Sequence, residues 1–313
     1  MLRFRLDKTA KGGQPIRARH CNLNCLWCHH DYFDHSASHR LAITNEMFAE
    51  SVVQILQAAQ SEEEATVRIA GNGEPTLVGC PELVELIRLL RSIPQIKSVT
   101  MTTNGVLVKK MAGSLREAGL DAITISLNSL DPEIYCFYAG HCYLHRVLDS
   151  IKACLAVGMP TKVNTIYCRL NARELDDFVL LAQQYQNMTV KFFDLIPTGQ
   201  WGRRLYLSLD HLEARLTPLA CQVREIEHAY PCREYHLTGG GVIQVKVTQS
   251  NTCPNLACPV RSNCLEGCRS SVRIRLDGVL QPCGVRIDNT VDMFSSQVTP
   301  AKIRDALRSG GKL

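Results

Sequence analysis

An α/β chain, built as an open partial (β/α)6 barrel of TIM-like type with a smaller C-terminal domain, is the fold predicted for these 313 residues. Short β-rich runs alternate with amphipathic helical stretches from Pro15 to about Leu195. Six strand–helix units in a row imply parallel strands joined by helical crossovers, too few to close an eight-fold barrel. After about Leu219 the text changes to a glycine run, one strand, a cysteine cluster and a final helix. The expected division is therefore 1–218 for the barrel and 219–313 for a metal-braced C-terminal domain.

The expected strands, in order, are Ile16–Arg19, Thr66–Ala70, Ser98–Thr102, Ala122–Ser126, Lys162–Tyr167 and Thr189–Leu195. Thr44 or Asn45 can cap a helix over Thr44–Gln60, with Met47, Val52, Val53, Ile55 and Leu56 as its apolar stripe. Similar patterns predict helices over Pro81–Arg91, Lys109–Ala118, Leu144–Val157 and Ala172–Gln184. Asp131, before Pro132, reads as a helix start. Beyond Gly239-Gly240-Gly241 a strand is expected over Val242–Val247, and a last helix near Ala301–Arg308. In such folds chemistry gathers at the C-terminal ends of the strands.

Hydrophobic residues make up 45% and charged residues 21%, which supports a sizeable core and excludes global disorder. A net charge of +5, from 35 basic and 30 acidic residues without a dense basic run, gives no sign of nucleic-acid binding. No apolar h-region or membrane-length apolar stretch is present, so a cytoplasmic protein without a membrane partner is expected. Fifteen cysteines are too many for packing alone, and an odd count leaves one over from any set of disulfides. The thiols are expected to be reduced, and some of them to hold metal.

Cys21, Cys25 and Cys28 form C-x3-C-x2-C, with Trp27 before the last cysteine. Structural zinc normally takes four ligands, whereas three thiolates in one short loop suit a [4Fe-4S] cube with one iron left open. His29 and His30 are candidates for a fourth ligand. The loop resembles the signature of the radical S-adenosylmethionine (SAM) superfamily. That resemblance implies that the open iron chelates the amino and carboxylate groups of SAM, and that an electron from the cluster cleaves the sulfonium to give a 5'-deoxyadenosyl radical. It also implies an electron donor such as flavodoxin or ferredoxin. On the same resemblance, Trp27, Gly71, Gly73 and Glu74 belong to the cofactor site, the last three in a segment similar to the family's Gly-Gly-Glu-Pro that binds the SAM amino group. Ser126 resembles the serine that contacts the SAM carboxylate, and Phe193 the position against adenine. Read singly, glycines in such a turn let the backbone approach a ligand closely.

The C-terminal segment carries Cys253, Cys258, Cys264, Cys268 and Cys283, five cysteines in 31 residues. A zinc ribbon is one reading of them. The text Val272–Gly284, with its arginines, Asp-Gly turn and Pro-Cys, resembles the GTP 3',8-cyclase family of molybdenum cofactor biosynthesis. That resemblance implies a second [4Fe-4S] cluster on Cys264, Cys283 and one of Cys258 or Cys268, and a nucleotide substrate, GTP. Residue by residue it carries over Arg68, Thr102, Lys162 and Arg273 as substrate contacts, with Arg275 close by; guanidinium forks suit phosphate. The likeness departs at the arginine seven residues before the first cysteine, where Gln14 stands, and at the Gly-Gly tail, where Lys312-Leu313 follow Gly310-Gly311. Alternatives are a relative acting on another nucleotide, a peptide or a sugar, and a non-catalytic metal-bracing module.

Overall fold

The structure, a computed structural model, describes residues 1–14, 20–28, 41–196, 199–226, 231–247, 271–283 and 289–312. Strands β1 (Arg3–Asp7), β2 (Ala65–Ala70), β3 (Ile96–Thr103), β4 (Ala122–Ser126), β5 (Thr161–Tyr167) and β6 (Met188–Asp194) lie side by side in chain order, each parallel to the next. The crossovers carry α1 (Asn45–Ala59), α2 (Cys80–Arg91), α3 (Ala112–Glu117), α4 (Pro132–Ala139), α5 (Leu144–Ala156) and α6 (Leu175–Gln184). After β6 come α7 (Gly199–Leu205) and α8 (Leu209–Leu216). Strands β7 (Ala220–Ile226), β8 (Cys232–Leu237), β9 (Val242–Lys246), β10 (Ser271–Ile274), β11 (Val279–Gln281) and β12 (Val291–Asp292) follow, then α9 (Pro300–Ser309).

The C-terminal strands build onto both flanks of the same sheet. Its order is β12-β11-β10-β1-β2-β3-β4-β5-β6-β9-β8-β7, with β9 parallel to β6 and β10 parallel to β1. Alternation along each strand sets the two faces. Phe4, Leu6, Val67, Ile69, Val99, Met101, Ile123, Ile125, Val190 and Phe192 are buried in one core with Phe48, Val52, Ile55, Leu83, Leu86, Leu115, Ile151 and Phe178 of the helices. Each such side chain contributes about 1.5–3 kcal/mol of transfer free energy. The intervening residues make up a second, polar inner face.

Local chemistry explains the helix ends. The Thr44 hydroxyl accepts from Met47 N at 3.3 Å, and Asp131 accepts from the N–H groups of Glu133 and Ile134 at 2.8 and 3.0 Å. Expected and observed spans differ by a residue or two for most elements. The first strand is the exception: Ile16–Arg19 lies outside the described residues, and the strand that opens the sheet is Arg3–Asp7. The expected helix at Lys109–Ala118 is also interrupted, a 3-10 turn at Val108–Lys110 preceding α3.

Candidate active site

The cysteine loop stands beyond the C-terminal end of β1 and is held from two sides. On one side His20 bridges to Gly73, and Glu74 N donates to His20 O at 2.9 Å. On the other, Asn24 N and Leu26 N donate to the carbonyls of Ala139 and Tyr138 at the end of α4, both at 2.9 Å. Trp27 is buried and stacks on Tyr138 at 5.4 Å, so its ring serves to anchor the loop. The Cys21 sulfur accepts from Leu23 N at 3.4 Å, with the Asn104 amide at 3.7 Å.

Burial raises the pKa of the Cys21 thiol and pushes that of Cys25 up to about 12, with Cys28 adding to both; Cys21 raises Cys25 as well. Three half-buried thiols close enough to disfavour one another's thiolates suit a multinuclear cationic cluster, which supplies the positive charge that thiolate ligands need. Among the described residues, no three His, Cys, Asp or Glu side chains close around a single ion.

Glu74 is a buried hub. Its Oε1 accepts from Thr76 N at 3.0 Å, Thr76 Oγ1 at 2.5 Å and Thr103 Oγ1 at 2.6 Å, and its Oε2 from Asn104 N at 2.7 Å. Desolvation raises its pKa, against these four hydrogen bonds. The carboxylate thus ties the end of β2 to the end of β3. The two glycines before it make room for the protein's own chain: a Cβ at Gly73, whose φ is +144°, would stand 2.3 Å from His20 O, and one at Gly71 2.4 Å from Thr9. Ser126, half-buried, ends β4 opposite Asn164, and the half-buried Phe193 ring lies 5.1 Å from Lys191 Nζ.

Register sorts the inner face into rows. Arg273, Arg5, Arg68 and Thr100 stand abreast on β10, β1, β2 and β3. One step towards the C-terminal ends comes Thr102, Thr124, Lys162 and Thr189, and above it Ser126, Asn164, Lys191, Gln244 and Glu234. Arg68, Thr102, Lys162 and Arg273, four of the residues singled out from sequence, therefore share one face. Arg275, the fifth, is engaged at 2.9 Å by Asp277 in the following turn. Asp7, 1% exposed, stands 3.3 Å from Arg5 Nε and 3.8 Å from Arg273 Nε.

Sequence reasoning missed Arg5 and Lys191. The alternation Arg3, Arg5, Asp7 against Phe4 and Leu6 is the available signal, masked by the apolar and basic run Ile16–Arg19 that adjoins the cysteines. Lys162 has its pKa lowered to about 8, by burial first and by Lys191 and Arg68. The inner face therefore gathers Arg5, Arg68, Arg273, Lys162 and Lys191, with Lys162 partly desolvated.

Cys283 follows β11, which runs antiparallel to β10, two residues beyond the pairing of Gln281 with Arg273. It therefore lies towards the N-terminal ends of the parallel strands, opposite the Cys21 loop, with the arginine row between. Cys253, Cys258, Cys264, Cys268, His29 and His30 lie outside the described residues.

One expectation needs correction: Cys136 and Cys142 are disulfide-bonded to each other, so the thiols are not all reduced. The Gly-Gly pair has a structural use: Gly311, at φ +67°, ends α9, with Gly311 N donating to Arg308 O and Lys312 N to Leu307 O, both at 2.9 Å.

The family model of the radical SAM superfamily matches residues 16–182. The chain belongs to the radical SAM superfamily. Among its curated relatives is the GTP 3',8-cyclase of Alkaliphilus oremlandii, 30% identical over 296 residues that cover 92% of this chain and 85% of the relative. The GTP 3',8-cyclase of Petrotoga mobilis is 30% identical over 271 residues, 84% of this chain and 77% of that one. Among solved structures, native anSMEcpe with bound AdoMet and Kp18Cys peptide superposes with a TM-score of 0.65 at 15% identity, covering 99% of this chain and 83% of that one. Streptococcus suis SuiB bound to precursor peptide SuiA gives 0.57 at 17%, covering 99% and 66%. These likenesses carry the largely parallel α/β fold of a radical SAM partial barrel. Membership implies a [4Fe-4S] cluster and SAM, and the Cys21, Cys25 and Cys28 loop has the donors for that cluster. No described helix is long and apolar enough to cross a membrane.

Proposed function

We propose that this radical SAM enzyme acts on a phosphate-bearing nucleotide, and specifically that it cyclises GTP to 3',8-cyclo-7,8-dihydro-GTP in molybdenum cofactor biosynthesis. The observation that carries the reading is the row Arg273, Arg5, Arg68 on three adjacent strands, with Lys162 one step above it. Three permanently charged forks side by side match a polyphosphate better than a neutral peptide or sugar. The 30% identity to GTP 3',8-cyclases over most of the chain supports the same substrate.

In this reading the cluster on Cys21, Cys25 and Cys28, once loaded, supplies the electron that cleaves the SAM sulfonium. The protein's own groups do the rest of the positioning. The strand ends at Gly71, Gly73, Ser126 and Phe193 line the SAM side, nearest the cysteine loop. Glu74 keeps that rim rigid by joining β2 to β3. Arg5, Arg68, Lys162 and Arg273 hold the phosphates, and Arg5 takes the part of the arginine that the family resemblance places at Gln14. Thr102, in the Lys162 row, offers a hydroxyl to the ribose or base. A second cluster on Cys283, Cys264 and one of Cys258 or Cys268 would face the other end of the substrate, and an electron donor such as flavodoxin or ferredoxin completes the system. The inner face leads from the Cys21 loop towards Cys283, which suits a substrate held between them.

The test is anaerobic incubation of reconstituted, reduced protein with SAM and GTP, followed by mass spectrometry. Conversion of GTP to the cyclised isomer is expected. Formation of 5'-deoxyadenosine without any new nucleotide product would exclude GTP while leaving SAM cleavage intact.

A further inference from the structure

From Lys162 a chain of side-chain hydrogen bonds leads away from the arginine row. Its Nζ donates to Gln244 Oε1 at 3.0 Å. Gln244, 6% exposed, donates through Nε2 to Glu234 Oε2 at 2.9 Å. Glu234 Oε1 in turn meets His236 Nε2 at 2.9 Å. Strand β9 stands beside β6, and β8 beside β9, so the chain reaches from β5 past Lys191 to the hairpin added at the sheet's flank.

We propose that Glu234, Gln244 and His236 are positioning residues for Lys162, holding its ammonium where the anionic part of the substrate docks. The proposal rests on the reading of the inner face as a phosphate site and names residues that reading did not include. The chemistry fixes every link. A glutamine amide has an accepting and a donating end, and a carboxylate can only accept. Glu234 therefore turns the Gln244 N–H groups towards itself and leaves the carbonyl facing Lys162. A neutral residue at 234 removes that constraint, and a flipped amide would aim N–H at the ammonium. His236 donates to the same carboxylate, which places its proton on Nε2. The negative charge of Glu234, two hydrogen bonds from Lys162, also opposes the repulsion from Lys191 and Arg68. The Gly240 and Gly241 turn, at φ +87° and +83°, sets the two strands of the hairpin in this register.

The experiment uses the anaerobically reconstituted full chain with inorganic tripolyphosphate and GTP as separate probes, binding being read by calorimetry. Glu234→Gln and Gln244→Leu are each expected to weaken tripolyphosphate binding about tenfold in protein that remains folded, whereas His236→Gln, which keeps a donor at Glu234, stays near wild type. On a Lys162→Met background, Glu234→Gln is expected to add nothing. If either hairpin variant fails to fold, the other carries the test. Wild-type tripolyphosphate affinity in the folded hairpin variants, or an equal loss with and without Lys162, overturns the proposal. Tripolyphosphate binding that obeys the expected coupling while GTP does not bind would uphold the positioning chain and remove the GTP reading.

Discussion

Lys162 shows how one side chain's surroundings translate into a measurable dependence on pH. An exposed lysine stays protonated until about pH 10.4, but here burial, then Lys191 and Arg68, lower the pKa to about 8. As pH rises through that value the ammonium loses its proton and the inner face loses one positive charge. Affinity for an anionic ligand should therefore fall between pH 7 and 9, in the direction opposite to a simple gain of ligand charge. Arginine keeps its proton throughout this range. Lys162→Arg is expected to flatten the profile, measured as the Kd for tripolyphosphate against pH at constant ionic strength. A wild-type profile that is already flat would mean that Lys162 does not face the ligand. The neighbouring arginines cannot produce the effect, because they do not titrate in this window.

At the scale of elements, the end of β2 and the end of β3 are joined by one carboxylate, and its removal has a predictable cost. Glu74→Ala leaves the backbone N–H groups of Thr76 and Asn104 and two hydroxyls without their acceptor in a buried place. A loss of about 3 kcal/mol in urea unfolding is expected. The pH dependence has a definite sign. Glu74 in the unfolded chain ionises near 4.5 and its folded pKa is raised, so the native state holds more protons between those values. Stability from this group is present below the lower value and declines as pH rises to the upper one. The alanine variant should lose that decline. How much of this was legible beforehand follows from the kind of signal each feature leaves. The strands β2 to β6 and their helices were legible from periodicity alone, because each buries one face. The Glu74 segment was legible as a glycine-rich turn at a strand end but not as a hub, since its partners Thr103 and Asn104 come from the next strand. β1 and the flanking strands were illegible in their pairing: β9 joins β6 and β10 joins β1 through contacts that no local pattern encodes. The same non-local pairing hid Arg5, whose importance comes from neighbours 63 and 268 residues away in sequence, Arg68 and Arg273.

Across the whole molecule, the sheet sets the Cys21 loop and Cys283 towards opposite ends of one polar face. The Cys21 loop lies beyond the C-terminal ends of the parallel strands, and Cys283 lies towards their N-terminal ends because β11 reverses direction after β10. In the proposed two-cluster reading, the sites on Cys21 and on Cys283 load independently, because they share no residue. Iron and acid-labile sulfide counting of anaerobically reconstituted protein should then give about eight of each for wild type. Cys21→Ala and Cys283→Ala should each remove about four iron atoms, and the double variant nearly all. A fall of four for Cys21→Ala alone, with Cys283→Ala unchanged, would leave a single cluster and overturn the two-cluster architecture. About one zinc retained in Cys21→Ala but lost in Cys283→Ala would identify the C-terminal cysteines as a structural zinc site. The two variants also separate roles: Cys21→Ala should abolish 5'-deoxyadenosine formation, whereas Cys283→Ala should retain SAM cleavage and lose nucleotide conversion. The expected split follows from the proposed roles and from the placement of the face with Arg5, Arg68 and Arg273 between the Cys21 loop and Cys283.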